Sequence, residues 1–547
     1  LSRFSSRSIV LLLAIVFVVG VAAIGCAPAE EEVEDPEDPV EEPEDPEDPE
    51  DEPDPDEPDE TEIVWAVGEA VCGWLPEQTT GSGYSVPARV FMEGLYRMDI
   101  ETAEPTPSLA KDMPEISEDG LVWTIELHEG IQWHHGYGEL TAEDVAFSLN
   151  RHIDPDVESV HTETFWAMDE AVAVDDYTVE LHLNAPYGGL LYSLTLMHPG
   201  WGGIISKAAF EDLGIEGLEE KPVGAGPYVF NADEYIPREE LVFDAFEDYF
   251  KGEPEIDRVR MPQIEDSSTL AMAMEAREID MTSLRDVPVW EEYSSRVDHI
   301  DGYTFDEIHI TKMDITTINE PWDDPRGRWA VAHAIDREAI RQIVYEGYGL
   351  VPDANILHPD MMHVEDIGID IEHDVDRSHE LFAELGLEPD DVEGTGCTYG
   401  SAEYRNFAEV MNTSFAEAGY DIVIEPLERG AFHEQRSSVE NDFVVIAHPR
   451  WPDPDPFLAL VHGNAIPPDG INFCWWDGAD DLIDKSRVTE GDERTEVVTE
   501  IQHVLSEEMP QVPLFHRQGF ILATDRVGGI TMGPGFHFDP FQLYIEE

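Results

Sequence analysis

The sequence predicts an α/β protein of more than one domain, and three observations carry that expectation. Stretches of period two and stretches of period 3.6 take turns through most of the chain, as strands and helices do when they are interleaved. The chain has 547 residues, enough for a large core divided among domains. Low-complexity sequence is confined to the N-terminal part, ahead of the first regular element.

Arg3 and Arg7 precede an apolar run at residues 9–19, and small residues lead from there to Cys26. That order reads as a targeting segment. The apolar run falls short of the roughly 20 residues that a membrane-spanning helix needs. Glu, Asp and Pro then dominate up to residue 62, and the few apolar residues, such as Val33 and Val40, cannot build a core. Like charges and prolines favour an extended chain, at about 3.1 Å per residue, so this linker reaches on the order of 100 Å.

The first strand is expected at residues 62–67, a glycine-containing loop at 72–85 and a helix at 86–96. Residues 121–128 alternate apolar and polar after the turn Ser117-Glu118-Asp119-Gly120, which predicts a half-buried strand. At residue 140 a helix is announced. Thr141 is placed to cap the N–H of Asp144, Asp144 to reach back, and Leu140 to pack on Val145. Residues 177–183 alternate again and suit a neighbouring strand. Residues 222–228, PVGAGPY, lack the Lys-Ser/Thr ending of a phosphate loop and run into a strand. Their glycines are expected to supply unusual backbone conformations.

Residues 267–277 have helical spacing, and 278–281 read as a short strand. Asp336 is placed to cap a helix that turns Ile340, Ile343 and Val344 inward. A helix at 403–418 stops at Gly419 and returns as a strand at 420–425. Residues 443–447 form an apolar strand, Val497, Val498, Ile501, Val504 and Leu505 line a helix face, and 512–516 form a closing strand.

Composition excludes some functions. With Lys+Arg at 30 against Asp+Glu at 121, the formal charge is −91, and nucleic acid is not a partner. There is no H-E-x-x-H, no G-x-S-x-G and no nucleotide-phosphate loop, so neither an enzyme nor a cofactor is expected. His134 and His135 read as a strand end and turn, since adjacent histidines lack the further ligands of a closed metal site. Cys26, Cys72, Cys397 and Cys474 contain no CxxC spacing, and a Cys397–Cys474 pair is left open.

Residues 108–151 read SLAKDMPEISEDGLVWTIELHEGIQWHHGYGELTAEDVAFSLNR. This run resembles the W-x-x-S-x-D-G-x-x-[YW]-T-F-x-L-R-x-G-V-x-F-H-D-G-x-x-[FL]-T-A-x-D-V-x-F-S-L-x-R pattern of the solute-binding proteins of peptide/nickel-type ABC transporters (family 5). His135 stands where Asp is usual. Residues 222–228, 248–259, 319–338 and 512–516 continue the resemblance. It implies a two-lobed, periplasmic-binding-protein-like (class II) fold with an extra subdomain on the first lobe.

On that reading residues 1–25 are a lipoprotein signal peptide, with Ala23-Ile24-Gly25-Cys26 resembling a lipobox and Cys26 lipidated. Residues 26–62 are the linker. The first lobe comprises 63–102, 203–305 and 513–547, its extra subdomain 103–202, and the second lobe 306–512. The chain crosses between lobes near 301–314 and 512–520. Such a protein is a monomer outside the cytoplasm, tethered to the membrane by its lipid. It captures an oligopeptide-type solute and hands it to a permease driven by an ATPase. The same fold with an oligosaccharide, small anion or nickel complex is the alternative; a secreted enzyme or structural surface protein is the alternative of another class.

The resemblance also names site residues. The loop before the first helix supplies Thr80, Gly81 and Ser82. In residues 446–457, IAHPRWPDPDPF, Asp453-Pro454 and Phe457 keep the family frame, so the Asp that pairs with a peptide's amino terminus falls on Arg450. The Arg that holds a dipeptide's carboxylate falls on Thr398. Both charge anchors for a free dipeptide are thus missing, and Arg450 favours an anionic group. Trp451, Tyr399 and Trp74 are candidate aromatic faces, and His448 is the one histidine of the site run.

Acidity reaches beyond the linker, and lysine is scarce (Lys111, Lys207, Lys221, Lys251, Lys312 and Lys485). Such a surface repels itself unless salt shortens the Debye length, from about 10 Å at 0.1 M to about 3 Å at 1 M. A high-salt habitat follows as a hypothesis. Melting temperature should rise from low to high salt; equal stability in both would count against it.

Overall fold

The computed structural model describes residues 61–68, 73–79, 82–100, 104–196, 202–448, 452–468, 470–489, 491–532 and 539–546. The expectations placed on Cys26, Cys72, Thr80, Gly81, Arg450 and Trp451, and on the leader and nearly all of the linker, lie outside these residues.

The strands used below are β1 (Glu62–Ala66), β2 (Glu115–Ile116), β3 (Val122–Glu126), β4 (Met168–Asp175), β5 (Thr178–Leu183), β6 (Tyr228–Phe230) and β7 (Glu240–Ala245). They continue with β8 (Arg258–Pro262), β9 (Met281–Leu284), β10 (Ile300–Ile315), β11 (Glu393–Tyr399), β12 (Asp421–Leu427), β13 (Phe443–His448) and β14 (Gln511–Thr524). Among the described residues one sheet has ten strands in the order β12-β11-β13-β10-β14-β9-β1-β8-β7-β6. A separate four-stranded sheet, β2-β3-β5-β4, forms the extra subdomain. The helices used are α1 (Ser82–Phe91), α2 (Ala142–Ile153), α3 (Ser267–Glu275), α4 (Pro325–Ala334), α5 (Arg337–Val344), α6 (Ala402–Glu417), α7 (Arg429–Gln435), α8 (Asp480–Arg487) and α9 (Gly491–Glu508).

The ten-stranded sheet has two halves. In one, β1 runs parallel to both β8 and β9; in the other, β11 runs parallel to both β12 and β13. The long antiparallel strands β10 and β14 belong to both. Ile300 to Asp306 pair with Thr524 to Gln518, the register breaks, and Ile310 to Asp314 pair with His516 to Gln511. The segments expected to cross near 301–314 and 512–520 lie within these two strands.

Apolar burial follows the two halves. Ile63, Trp65, Phe91, Phe230 and Phe243 share a core with Trp123, Ile125, Val145 and Leu181 of the extra subdomain. In the second half, Met313, Ile315 and Val445 meet α4, α5 and α6 through Val331, Ile340, Phe407, Met411 and Phe415. Another cluster joins Ile308, Ile310 and Phe457 to α8 and α9 through Ile483, Val497, Val498, Ile501 and Leu505.

Local chemistry explains most element ends. The Asp266 carboxylate accepts from the Thr269 N–H at 2.8 Å, and Asp336 from the Ala339 N–H at 2.8 Å, capping α3 and α5. Gly419, at φ 83°, ends α6 in the left-handed region. Asp144 reaches back to the Thr141 N–H at 2.9 Å, as expected. The Thr141 hydroxyl, however, donates to that carboxylate at 3.3 Å, and the Asp144 N–H bonds the Thr141 carbonyl at 3.1 Å.

Several expectations shift. The first helix starts at Ser82 and stops at Phe91, not Tyr96. Gly94 must pass so close to the next segment that a Cβ there would lie 2.9 Å from the Leu196 nitrogen. The strand expected at 278–281 is Met281–Leu284. Arg277, at φ 59°, and the Glu278 N–H, bonded to the Ala273 carbonyl at 2.9 Å, use the preceding residues to close α3. Ile343 is 61% exposed, because α5 turns Ile340 inward and offers the core a narrow face.

The glycines of the 222–228 turn serve close approach. Neither Gly224 nor Gly226 has positive φ. A Cβ on Gly224 would lie 1.8 Å from the Phe91 carbonyl oxygen, and one on Gly226 2.5 Å from its carbon. His134 docks on the same turn. Its N–H bonds the Gly224 carbonyl at 2.9 Å, and its Nε2–H donates to the Gly226 carbonyl at 2.9 Å. His135 takes φ 57°, a conformation that both His and the family's Asp tolerate. Cys397 and Cys474 are buried free thiols, so the pair left open is not formed.

Burial lowers the His134 pKa to about 3, and that of His516, near the positive end of another imidazole, to about 3 as well. The unfolded chain binds a proton near pH 6.5 that each folded imidazole refuses. Stability is therefore full above pH 6.5 and falls as pH drops towards 3, by up to about 1.4 kcal/mol per pH unit for each group. Thermal unfolding from pH 6.5 to about 5.5 should show this loss, and His134→Gln should remove about 1 kcal/mol of it.

Candidate functional site

The carboxyl ends of parallel strands are where α/β sheets bind ligands. Here the carboxyl ends of β11 and β13 on one side, and of β1 and β9 on the other, lie towards the break in the β10–β14 pair. Opposite that break Arg517 donates from Nε to Glu307 at 2.9 Å and lies 3.6 Å from Glu403 at the start of α6. Glu403 also accepts the Tyr345 hydroxyl. Burial would discharge Arg517, but the two carboxylates raise its pKa instead. The crossing strands are thus bridged by a charged, hydrogen-bonded cluster.

On the second-lobe side, β11 ends at Thr398 and Tyr399. Thr398 is fully buried, and its hydroxyl donates to the Val445 carbonyl at 2.8 Å. It therefore faces the sheet and offers no free donor. Tyr399 is half-buried, its ring 4.0 Å from that of Phe432 and 5.5 Å from that of Tyr404. His448 ends β13, buried, with no hydrogen-bond partner at Nε2. Burial first, and then the charges of Lys312 and Arg436, keep it neutral far below the usual imidazole range. Beneath it lies a buried ion pair, Lys312–Asp314, and Asp314 also accepts from Gln511 Nε2 at 2.9 Å. The Cys474 thiol, pushed up by burial and by Asp314, belongs to this group.

The Asp453-Pro454 frame that the site run keeps is structural. Asp453 is fully buried and takes both guanidinium nitrogens of Arg494 at 2.7 Å. Its neighbour Asp455, 1% exposed, takes Arg487 Nε at 2.7 Å. Phe457 anchors the next turn in the core below. A two-pronged pair of this kind fixes the course of the chain from Pro452 onward.

The extra subdomain touches the same group. The Arg487 guanidinium lies 4.8 Å over the Trp166 ring, which packs 5.3 Å from Tyr187. Tyr187 is buried against Asp455, its pKa raised by burial and then by that carboxylate and Asp453. The Tyr192 hydroxyl meets the Met362 sulfur, and the Met362 N–H bonds the Pro452 carbonyl at 2.8 Å. Aromatic residues of one lobe therefore sit on the ion pairs of the other.

The first-lobe loop is also held. Arg151 Nε donates to the buried Glu77 at 2.8 Å, and His161 Nε2 donates to the Thr79 carbonyl at 2.9 Å. Both come from the extra subdomain and fix the chain just ahead of Thr80, Gly81 and Ser82; Ser82 opens α1. Trp74 is not a ligand face. It is 3% exposed, with its ring 5.3 Å from Phe91 and 5.4 Å from Phe230.

The ion pairs at Asp453, Asp455 and Glu307 escaped the sequence reading, although a signal existed. In so acidic a chain each arginine is informative, and Arg487, Arg494 and Arg517 recur just ahead of or within long regular elements. Nothing local assigns their partners.

Two halves hinged on a strand pair, with parallel-strand ends facing each other across it, define a two-lobed solute-binding protein. A family profile described as "Bacterial extracellular solute-binding proteins, family 5 Middle" matches residues 104–467, and the chain belongs to that family. The dipeptide-binding protein of Escherichia coli (strain K12) is 26% identical over 490 residues, spanning 83% of this chain and 89% of its own. Heme-binding protein A of Haemophilus influenzae is 25% identical over 513 residues, spanning 87% and 91%. Among solved structures, the ABC transporter-associated periplasmic binding protein DppA from Helicobacter pylori, in complex with peptide STSA, has a TM-score of 0.75 at 25% identity, covering 89% of this chain and 98% of that one.

Replacing Arg494 with Met would leave Asp453 buried and unpaired, which should cost about 3–5 kcal/mol in urea unfolding. Arg296→Ala, which breaks the exposed pair with Glu275, should leave the urea midpoint nearly unchanged.

Proposed function

We propose that this protein is the capture component of an ABC importer, binding an oligopeptide-type solute between its lobes and delivering it to a membrane permease and ATPase. The observation that carries the reading is the strand pair common to both halves. Among the described residues the two halves share only β10 and β14 within the sheet, and a solute held between strand ends on both sides would favour a shut form. Relatives named for dipeptide binding, and a neighbour holding a peptide, support the solute class.

The protein acts as a monomer outside the cytoplasm, held to the membrane by lipid on Cys26. Among the described residues no helix is long and apolar enough to cross a membrane. Tyr399, Arg450 and Trp451 are the contacts from the second lobe, with Thr398 and His448 supporting them from beneath. Thr80, Gly81 and Ser82 are the contacts we assign to the first. Its acidity suits a saline medium, where surface repulsion is screened.

The charge reversal at Arg450 favours one second reading, a solute whose held group is a small anion. A thermal-shift screen in high salt with oligopeptides, oligosaccharides, nickel and small anions decides among these. The true ligand should stabilise saturably, by about 2.7 kcal/mol at a hundred times its Kd, without being converted. Conversion of the bound compound would make the protein an enzyme, and no response to any class would leave it a surface structure.

A further inference from the structure

The contact between the extra subdomain and the second lobe is built unlike the acidic surface around it. Trp166 follows a short 3-10 turn, Thr162–Phe165, and stands between Phe165 and Ala167, both fully buried. The Asn184 N–H bonds the Ala167 carbonyl at 2.7 Å. The backbone is thus fixed, and the Trp166 ring, 37% exposed, projects from it. Across the contact the Arg487 guanidinium lies 4.8 Å from the ring centre. Asp455 and Asp484, at 2.7 and 3.4 Å, hold that guanidinium from the side of its own lobe.

Two lobes of a chain with a formal charge of −91 repel where their faces meet. Here the repulsion is removed. Asp453 and Asp455 of the second lobe are each paired with an arginine, and Trp166, Tyr187, Gly188 and Tyr192, which the subdomain brings, carry no charge. The Tyr187 hydroxyl bonds Asp455. Gly188 comes so near that a Cβ on it would lie 3.5 Å from Arg494 Nη1. A guanidinium over an aromatic face is worth more when desolvated, and salt weakens a buried contact far less than it weakens surface repulsion. None of these side chains is among the solute contacts proposed above.

We propose that Trp166 on Arg487, with Gly188 against Arg494, is a lobe-to-lobe latch that sets how tightly every cargo is held without touching any of them. The proposal rests on the solute-capture reading. A contact made in the shut form and lost in the open one raises the shut population, and apparent affinity scales with the competent fraction. Losing the latch therefore weakens all cargoes by one factor, whereas losing a cargo contact weakens some more than others. The change falls mainly on release.

The test uses the full chain in high salt and compares it with Trp166→Ala, Trp166→Phe and the wedge Gly188→Leu. Small-angle scattering is measured without cargo, and calorimetric and stopped-flow titrations use a panel of tri- and tetrapeptides. Trp166→Ala and Gly188→Leu should each weaken every peptide that binds by a common factor, about threefold to thirtyfold for the lost ring, through faster release. The unliganded melting temperature should stay nearly unchanged. Trp166→Phe, which keeps an aromatic face, should recover part of the affinity. Unaltered affinity in both variants, or a loss confined to particular peptides, would overturn the latch and leave solute capture standing. A marked fall in the unliganded melting temperature of Trp166→Ala would assign the contact to static structure and overturn it as well. If no peptide of the panel binds, the oligopeptide reading falls and scattering alone decides the latch: Trp166→Ala should enlarge the radius of gyration of the empty protein, and an identical curve would overturn the proposal.

Discussion

Everything in this molecule hangs on the pair of long strands that belongs to both halves of the sheet. Continuous hydrogen bonding would make a rigid plank of them. The register break between Asp306 and Ile310 is where that rigidity is interrupted, and Arg517 spans the break to Glu307 and Glu403. A charge cluster replaces ladder hydrogen bonds there. Such bonds are strong but tolerate small rotations better than a ladder, which suits a joint that must bend and return.

The division of labour around the joint is equally physical. The charged groups of the site run, Asp453 of the family frame and its neighbour Asp455, are not presented to solvent but neutralised below it by Arg494 and Arg487. Buried pairs of this kind add little net stability, since desolvation offsets attraction; they specify where a segment must lie.

How much of this could be read beforehand depended on the range of the interaction. The strand at 121–128, the Asp336 cap and the stop at Gly419 follow from neighbours in sequence, and the structure has all three. The long motif at residues 108–151 carried the fold and the family. Misplaced elements had tertiary causes: α1 ends early because Gly94 is pressed on Leu196, and Trp74 faces Phe91 and Phe230 in the core. The glycines of the 222–228 turn were legible as special, but the reason, the nearness of Phe91 and His134, lies over eighty residues away along the chain. Tyr399 and His448 were reached by resemblance, whereas the pairs Asp453–Arg494 and Glu307–Arg517 join residues far apart in the chain and only coordinates reveal them.

The extra subdomain holds both margins of the crevice. Through Arg151 and His161 it grips the segment before α1; through Trp166, Tyr187 and Tyr192 it rests on the opposite lobe. It is a brace, and a brace transmits force. Any displacement of the second lobe pulls on Trp166 and Tyr187, and the same small sheet passes that pull to Glu77 and Thr79. The two lobes are therefore coupled through this subdomain as well as through β10 and β14.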